Sequence, residues 1–175
     1  MELANPIPAA RAANKILESF RKSGLPVIHI NHVSTKPGSR FFLPGTEGIE
    51  VHPLVKPVNG ETVLIKHLPN SFLGTGLEGK LSELNAGSLI ITGMMTHMCV
   101  DATTRAATDL GFECIVISDA CATKDLRIED QVISHDKVHG AFLAALNGTY
   151  AKVMKSPDFI ADMKGILQHK QDTDA

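Results

Sequence analysis

The chain has no tryptophan, a single tyrosine, and only 5% aromatic residues, so platforms on which bases could stack are scarce. Seventeen basic residues against nineteen acidic leave a net charge of −2, with no Lys/Arg block. Nucleic acid and anionic membranes are therefore not expected partners. No apolar run approaches the ~20 residues of a membrane span, and the opening MELANPIPAARAANK lacks the apolar core of a secretory signal. The expected address is the cytoplasm. Cysteine is sparse as well: Cys99, Cys114 and Cys121 are odd in number and match no zinc or CxxC spacing, so reduced thiols are expected. Internal repeats and low-complexity tracts are absent. The 175 residues suit a single domain, 1–175, able to bury roughly two-thirds of the surface of its unfolded chain.

What is present is an alternation of helices and strands. PAARAANKILESFRKSG places Ala9, Ala13, Ile16, Leu17 and Phe20 on one helical face, with Pro8 near the start and Gly24 at the end. A strand follows at Pro26–Asn31, and then some thirty residues rich in proline and glycine read mostly as loop, a length that implies work to do. Further strands are expected at Thr62–Ile65, Ser88–Thr92, Glu113–Ser118 and Ala151–Met154. Helices are expected at Leu77–Leu84, His97–Leu110, His135–Leu146 and Asp158–Leu167, before a polar tail. Nearly all-apolar strands separated by helices imply a doubly wound, mainly parallel α/β sheet covered on both faces. Ligands of such sheets bind at the carboxyl ends of the strands. Lys66 directly follows TVLI, and Gly93 to Cys99 directly follow SLIIT, so both fall on that edge.

Thr96 is placed to cap the helix after SLIITGMM, which puts Cys99 in the first turn, where free backbone N–H groups favour a thiolate. Position alone leaves two readings open: a nucleophile, or the small buried hydrophobe that most free cysteines are. Cys114, inside a strand, and Cys121, with no helix start of its own, have weaker grounds for chemistry.

The run LIITGMMTHMCVDATTRAATDLGFECIVISDACATKD resembles the signature of the isochorismatase-like cysteine hydrolases, in which G-x-x-T-x-x-C-V opens the nucleophile helix and a later strand ends in S-D-A. IKHLPNSFLGTGL is similar to that family's lysine segment, and with HINHV and FFLPGTEG the likeness runs from about residue 3 to at least 155. The resemblance implies a three-layer α/β fold, Cys99 as nucleophile, Lys66 as its electrostatic partner, and a non-proline cis peptide between Met94 and Met95. It also implies an oxyanion hole from the backbone amides of Met95 and Cys99. The reaction implied is thiolate attack on a small amide, ureide or related carbonyl compound, a thioester intermediate, and hydrolysis by water. Dimers or tetramers are the implied assemblies.

By the same likeness a third catalytic group, an aspartate closing an N-terminal strand L-L-x-I-D-x-Q, precedes Met1, and that strand is central in the family's sheet. The expected fold thus lacks its first central strand, which strips ladder partners from two neighbours. The expectation is that the natural chain begins further upstream. The alternatives are a strand supplied from elsewhere in this chain or a partner, or a catalytically silent relative that binds without turning over.

Among the other polar residues, His29, His32, His52, His135 and His139 could be offered to a metal. HDKVH, however, lacks the glutamate of HExxH, and Asn31-His32 does not match an Asp-x-His triplet, so no metal or cofactor is expected. His97 is read as pocket lining, as are Phe72 and Phe42, although core packing explains the two phenylalanines equally well. GTGLEG departs from the phosphate-binding GxxxxGK[ST]. Asp119 is read as a capping or loop hydrogen-bond residue.

Overall fold

A computed structural model describes residues 2–163. Helix α1 (Pro6–Lys22) begins with proline in its first turn and buries Ala9, Ala10, Ala12, Ile16 and Leu17, while Ala13 and Phe20 of the expected face are half-buried against the same core. Strands β1 (Ile28–His32) and β2 (Thr62–Lys66) pair in parallel. Between them, the long loop forms two 3-10 turns, Glu47–Ile49 and Pro53–Val55. After α2 (Leu77–Glu83), strand β3 (Ser88–Met94) runs into the cysteine turn and α3 (Asp101–Asp109). The chain continues as β4 (Glu113–Ala122), a β5–β6 hairpin (Leu126–Ile128, Gln131–Ile133), α4 (His135–Leu146) and β7 (Lys152–Met154). A last helix, α5, is described over residues 156–163, so the remainder of the helix expected at Asp158–Leu167 lies outside the described residues.

The parallel strands form two half-sheets, β1–β2 and β3–β4–β7. Strands β1 and β3 face each other across a cleft and pair with no strand on that side among the described residues. This is the break that loss of a first central strand predicts. Strand β4 is the best covered: Cys114 and Val116 pack with Val100, Ala107, Leu143 and Leu146 on the α3–α4 side. Ile117, on the opposite face, packs with Ala12, Ile16 and Phe159 of α1 and α5. Two helical layers thus enclose the sheet, and the alternation of inward residues along β4 is what apolar strands covered on both faces require.

Helix α1 also holds the half-sheets together. Its apolar face packs on β4, while Arg21 reaches across to Glu61 at the start of β2, with bonds of 2.8 and 2.9 Å, and to the Lys56 carbonyl. His29 of β1 completes the cluster through Nε2, 2.8 Å from Glu61. Arg21 holds the Glu61 carboxyl down at about 2, against the cost of burying it. Among the described residues no helix is long and apolar enough to cross a membrane.

Candidate active site

The chain leaves β3 through Gly93, at φ 132, a backbone conformation that suits glycine. The Met94–Met95 peptide that follows is cis. Residues Thr96–Val100 then form a π turn, in which the Val100 N–H donates to the Met95 carbonyl five residues back at 3.2 Å. This differs from the helix expected from His97 onward. Met95, rather than Thr96, is the N-cap, and the Thr96 side chain caps nothing. Its hydroxyl is wholly buried and meets Nδ1 of His139 on α4 at 2.9 Å.

Cys99 is half-buried on this turn and lines a cavity of about 1510 Å³. The volume exceeds the roughly 300–1,000 Å³ of ordinary small-molecule sites because the cavity continues into the cleft between the half-sheets. The other two thiols are buried in the core. Burial pushes the Cys114 thiol up and the Cys121 thiol to about 12, so both stay protonated and inert at neutral pH.

Lys66, the last residue of β2, lines the same cavity and is 3% exposed. Its Nζ donates to the Pro69 carbonyl and, at 3.2 Å, to the Ser71 hydroxyl. Ser71 is in turn bonded to Thr103, four residues beyond Cys99. No carboxylate lies within ion-pair distance of Lys66 among the described residues. His32, closing β1, presents a buried Nδ1 with no hydrogen-bond partner among the described residues, and its ring packs edge-on against Phe42 at 5.1 Å. Burial first, and then the charge of Lys66, lowers the pKa of that imidazole. An ammonium and an orphan ring nitrogen therefore meet at the carboxyl rim of the cleft.

The remaining expected site residues divide. His97 and Phe42 line the cavity, as do Phe41, Ile49 and Glu50, so the proline- and glycine-rich loop supplies one wall. His97 bonds the Thr123 hydroxyl through Nδ1, and burial followed by Lys124 lowers its pKa. Phe72 is a correction. Its ring stacks on Phe112 at 6.0 Å and packs against the α3–α4 core, because the turn after Asn70 directs it inward, off the cavity wall. Met95 is buried and borders the cavity at the cis bond.

The histidines do not converge on one point: His29 serves Glu61, His52 accepts from the Leu54 N–H, and His135 joins Asp125. Asp119 accepts from the N–H and the hydroxyl of Ser156, both at 2.7 Å, and so caps α5. It is free to do so because β4 bulges between Val116 and Cys121 where β3 advances only from Ile91 to Gly93. Sequence reasoning missed the Ser71–Thr103 and Thr96–His139 contacts. Partners 32 and 43 residues apart leave no local spacing signal.

The chain has relatives among known proteins. The family model described as "Isochorismatase domain" matches residues 3–153. The chain belongs to the isochorismatase family. It is 49% identical over 160 residues to the Bacillus subtilis isochorismatase family protein YddQ, covering 91% of this chain and 89% of that one. An isochorismatase hydrolase structure from Oleispira antarctica superposes with a TM-score of 0.87 at 45% identity, over 91% of this chain and 84% of that one. The N-carbamoylsarcosine amidase of Thermoplasma acidophilum superposes with a TM-score of 0.72 at 29% identity, over 87% and 86%. As a family member the chain is a hydrolase of the isochorismatase-like α/β fold.

Proposed function

We propose that the chain is a cysteine hydrolase of small amide, ureide or related carbonyl compounds, with Cys99 as nucleophile and Lys66 as the cation that favours its thiolate. One observation carries this reading: of the three thiols, Cys99 alone opens on the cavity, and it shares that cavity with the buried ammonium of Lys66. The thiolate attacks the carbonyl carbon, and the oxyanion is received by the backbone N–H groups of Met95 and Cys99. The C–N bond breaks, the amine departs with the proton that the Cys99 thiol gave up, relayed through solvent, and water hydrolyses the thioester to the acid and the regenerated thiol. His97 and Phe42 border the substrate. The cleaved amide of N-carbamoylsarcosine amidase supports the bond type and leaves the acyl and amine portions open. No residue present is assigned as the general base; by the family likeness that role belongs to a carboxylate.

The test is alkylation with limiting iodoacetamide from neutral to mildly alkaline pH, alongside turnover of a panel of amides and ureides. The expected result is selective reaction at Cys99 and turnover abolished by Cys99→Ala. Equal reactivity of Cys99 and Cys114 overturns the reading. A selective Cys99 with no turnover on any carbonyl substrate favours the silent binding protein instead. We further propose a cytoplasmic homo-oligomer, dimer or tetramer. Exposed Val58, Val63, Ile65 and Leu68 around β2 support this proposal, and light scattering in solution tests it.

A further inference from the structure

The cysteine turn is anchored from outside the site. Thr96 opens the turn, its side chain is wholly buried, and among the described residues that side chain's sole hydrogen-bond partner is His139. His139 lies on α4, three strands and a helix later in the chain, and the Ser118 carbonyl of β4 lies against the same ring. One imidazole therefore bonds the first residue of the turn while resting on the strand beside β3. The Ser118 carbonyl favours a proton on the nitrogen facing it. Nδ1 and the Thr96 hydroxyl meet at 2.9 Å, and that hydroxyl has no other hydrogen-bond partner among the described residues. The ionisable groups around the ring are Asp136 and His135, both on α4 itself. The turn contributes His97, which is occupied with Thr123, and β4 contributes Asp119, which is occupied with Ser156.

We propose that His139 is a positioning residue for the nucleophile turn: by its hydrogen bond to Thr96 it holds Thr96–Val100 in the π geometry that sets Cys99 toward the cavity. The inference rests on the reading of Cys99 as the reacting thiol, and it assigns a residue distant in sequence that touches no substrate. A π turn has one residue more than an α turn and is rare, occurring mostly as a single turn at functional sites. The Met95 carbonyl holds one end through Val100, and the His139–Thr96 bond holds the other.

The test compares His139→Leu with His139→Asn, whose side-chain oxygen stands near the position of Nδ1, and Thr96→Val with Thr96→Ser. The readout is the iodoacetamide rate at Cys99 at neutral pH, with Cys114 as an internal measure of global opening. In the full-length protein, His139→Leu and Thr96→Val are each expected to slow Cys99 by about tenfold or more while Cys114 stays protected. His139→Asn and Thr96→Ser are expected to restore most of the rate, and the Leu/Val double variant to be no slower than either single one. An unchanged or faster Cys99 in His139→Leu, an Asn variant no better than Leu, or multiplying losses in the double variant overturns the proposal. Should His139→Leu fail to fold, the Thr96 pair decides in the same way. Failure of the hydrolase reading looks different: the rate differences at Cys99 persist, while turnover is absent or survives Cys99→Ala.

Discussion

Ser71 and Thr103 are joined twice: the Ser71 N–H donates to Thr103 Oγ1 at 3.1 Å, and the two hydroxyls meet at 2.9 Å. Ser71 is also the side-chain partner of the Lys66 ammonium, so the lysine is fixed to the helix that continues from the cysteine turn. Thr103→Val keeps the volume and removes the hydroxyl, leaving the Ser71 N–H without its acceptor. The expected loss is about 1–3 kcal/mol of stability, with Thr103→Ser retaining most of it. Urea unfolding of the two variants checks this; equal midpoints would show that the hydroxyl contributes nothing.

Acid should destabilise the fold in two stages. His32, His97 and His139 all have pKa values lowered from 6.5, in each case chiefly by burial. The folded state therefore prefers them neutral more strongly than the unfolded chain does. Their contribution is complete above pH 6.5 and is lost as pH falls through their folded values. Glu61, lowered from 4.5 to about 2, adds a second loss that begins near pH 4.5 and continues toward about 2. Thermal midpoints should be level above neutrality and should decline first below pH 6.5. A maximum near pH 5 contradicts this ordering.

The legible part of the molecule was whatever depends on local pattern. The 135–146 helix matches its expected bounds and buries Val138, Leu143 and Leu146 along its length. The cysteine edge and the lysine edge followed from strands ending at Thr92 and Ile65, within two residues of their observed ends. Strand β4 was expected to stop at Ser118 and instead runs to Ala122, because its bulge re-pairs Cys121 with Gly93, a contact without local signature. The 126–133 hairpin went unseen for a related reason. Its strands are three residues each and mostly exposed, so no inward–outward alternation marks them. Phe72 shows the limit at the site itself: the motif places it beside Ser71, but only tertiary packing decides that the serine faces Lys66 and the phenylalanine the core.

Arg21 and Glu61 form a latch across the molecule. Glu61 accepts from Arg21, His29 and the Val58 N–H, so its carboxylate ties α1, β1 and the loop before β2 to one point. Glu61→Gln keeps the shape and removes the charge, leaving the guanidinium only the half-exposed Glu18 as counter-ion. The expected cost is about 1.5–3 kcal/mol, with the acid limb below pH 4.5 flattened. Calorimetry of the variant across the acid range reads both effects; an acid limb as steep as wild type would show that another carboxylate produces it.

The two half-sheets set a pattern of backbone protection. Val116 and Ile117, at the centre of β4, are flanked by β3 and β7 and completely buried, so their amides open only with large-scale unfolding. Strands β1 and β3 each have a cleft-facing edge with no strand beside it among the described residues, and α1 covers only one side of that break. Amides pointing into the cleft should exchange with solvent deuterium faster than those of Val116 and Ile117 by at least about two orders of magnitude. A strand entering the cleft between them would bond both edges at once and erase the difference. Hydrogen exchange resolved to single amides separates the cases: strong protection at Ile30 and Ile90, equal to that at Val116, would mean that the cleft is closed by a strand in solution.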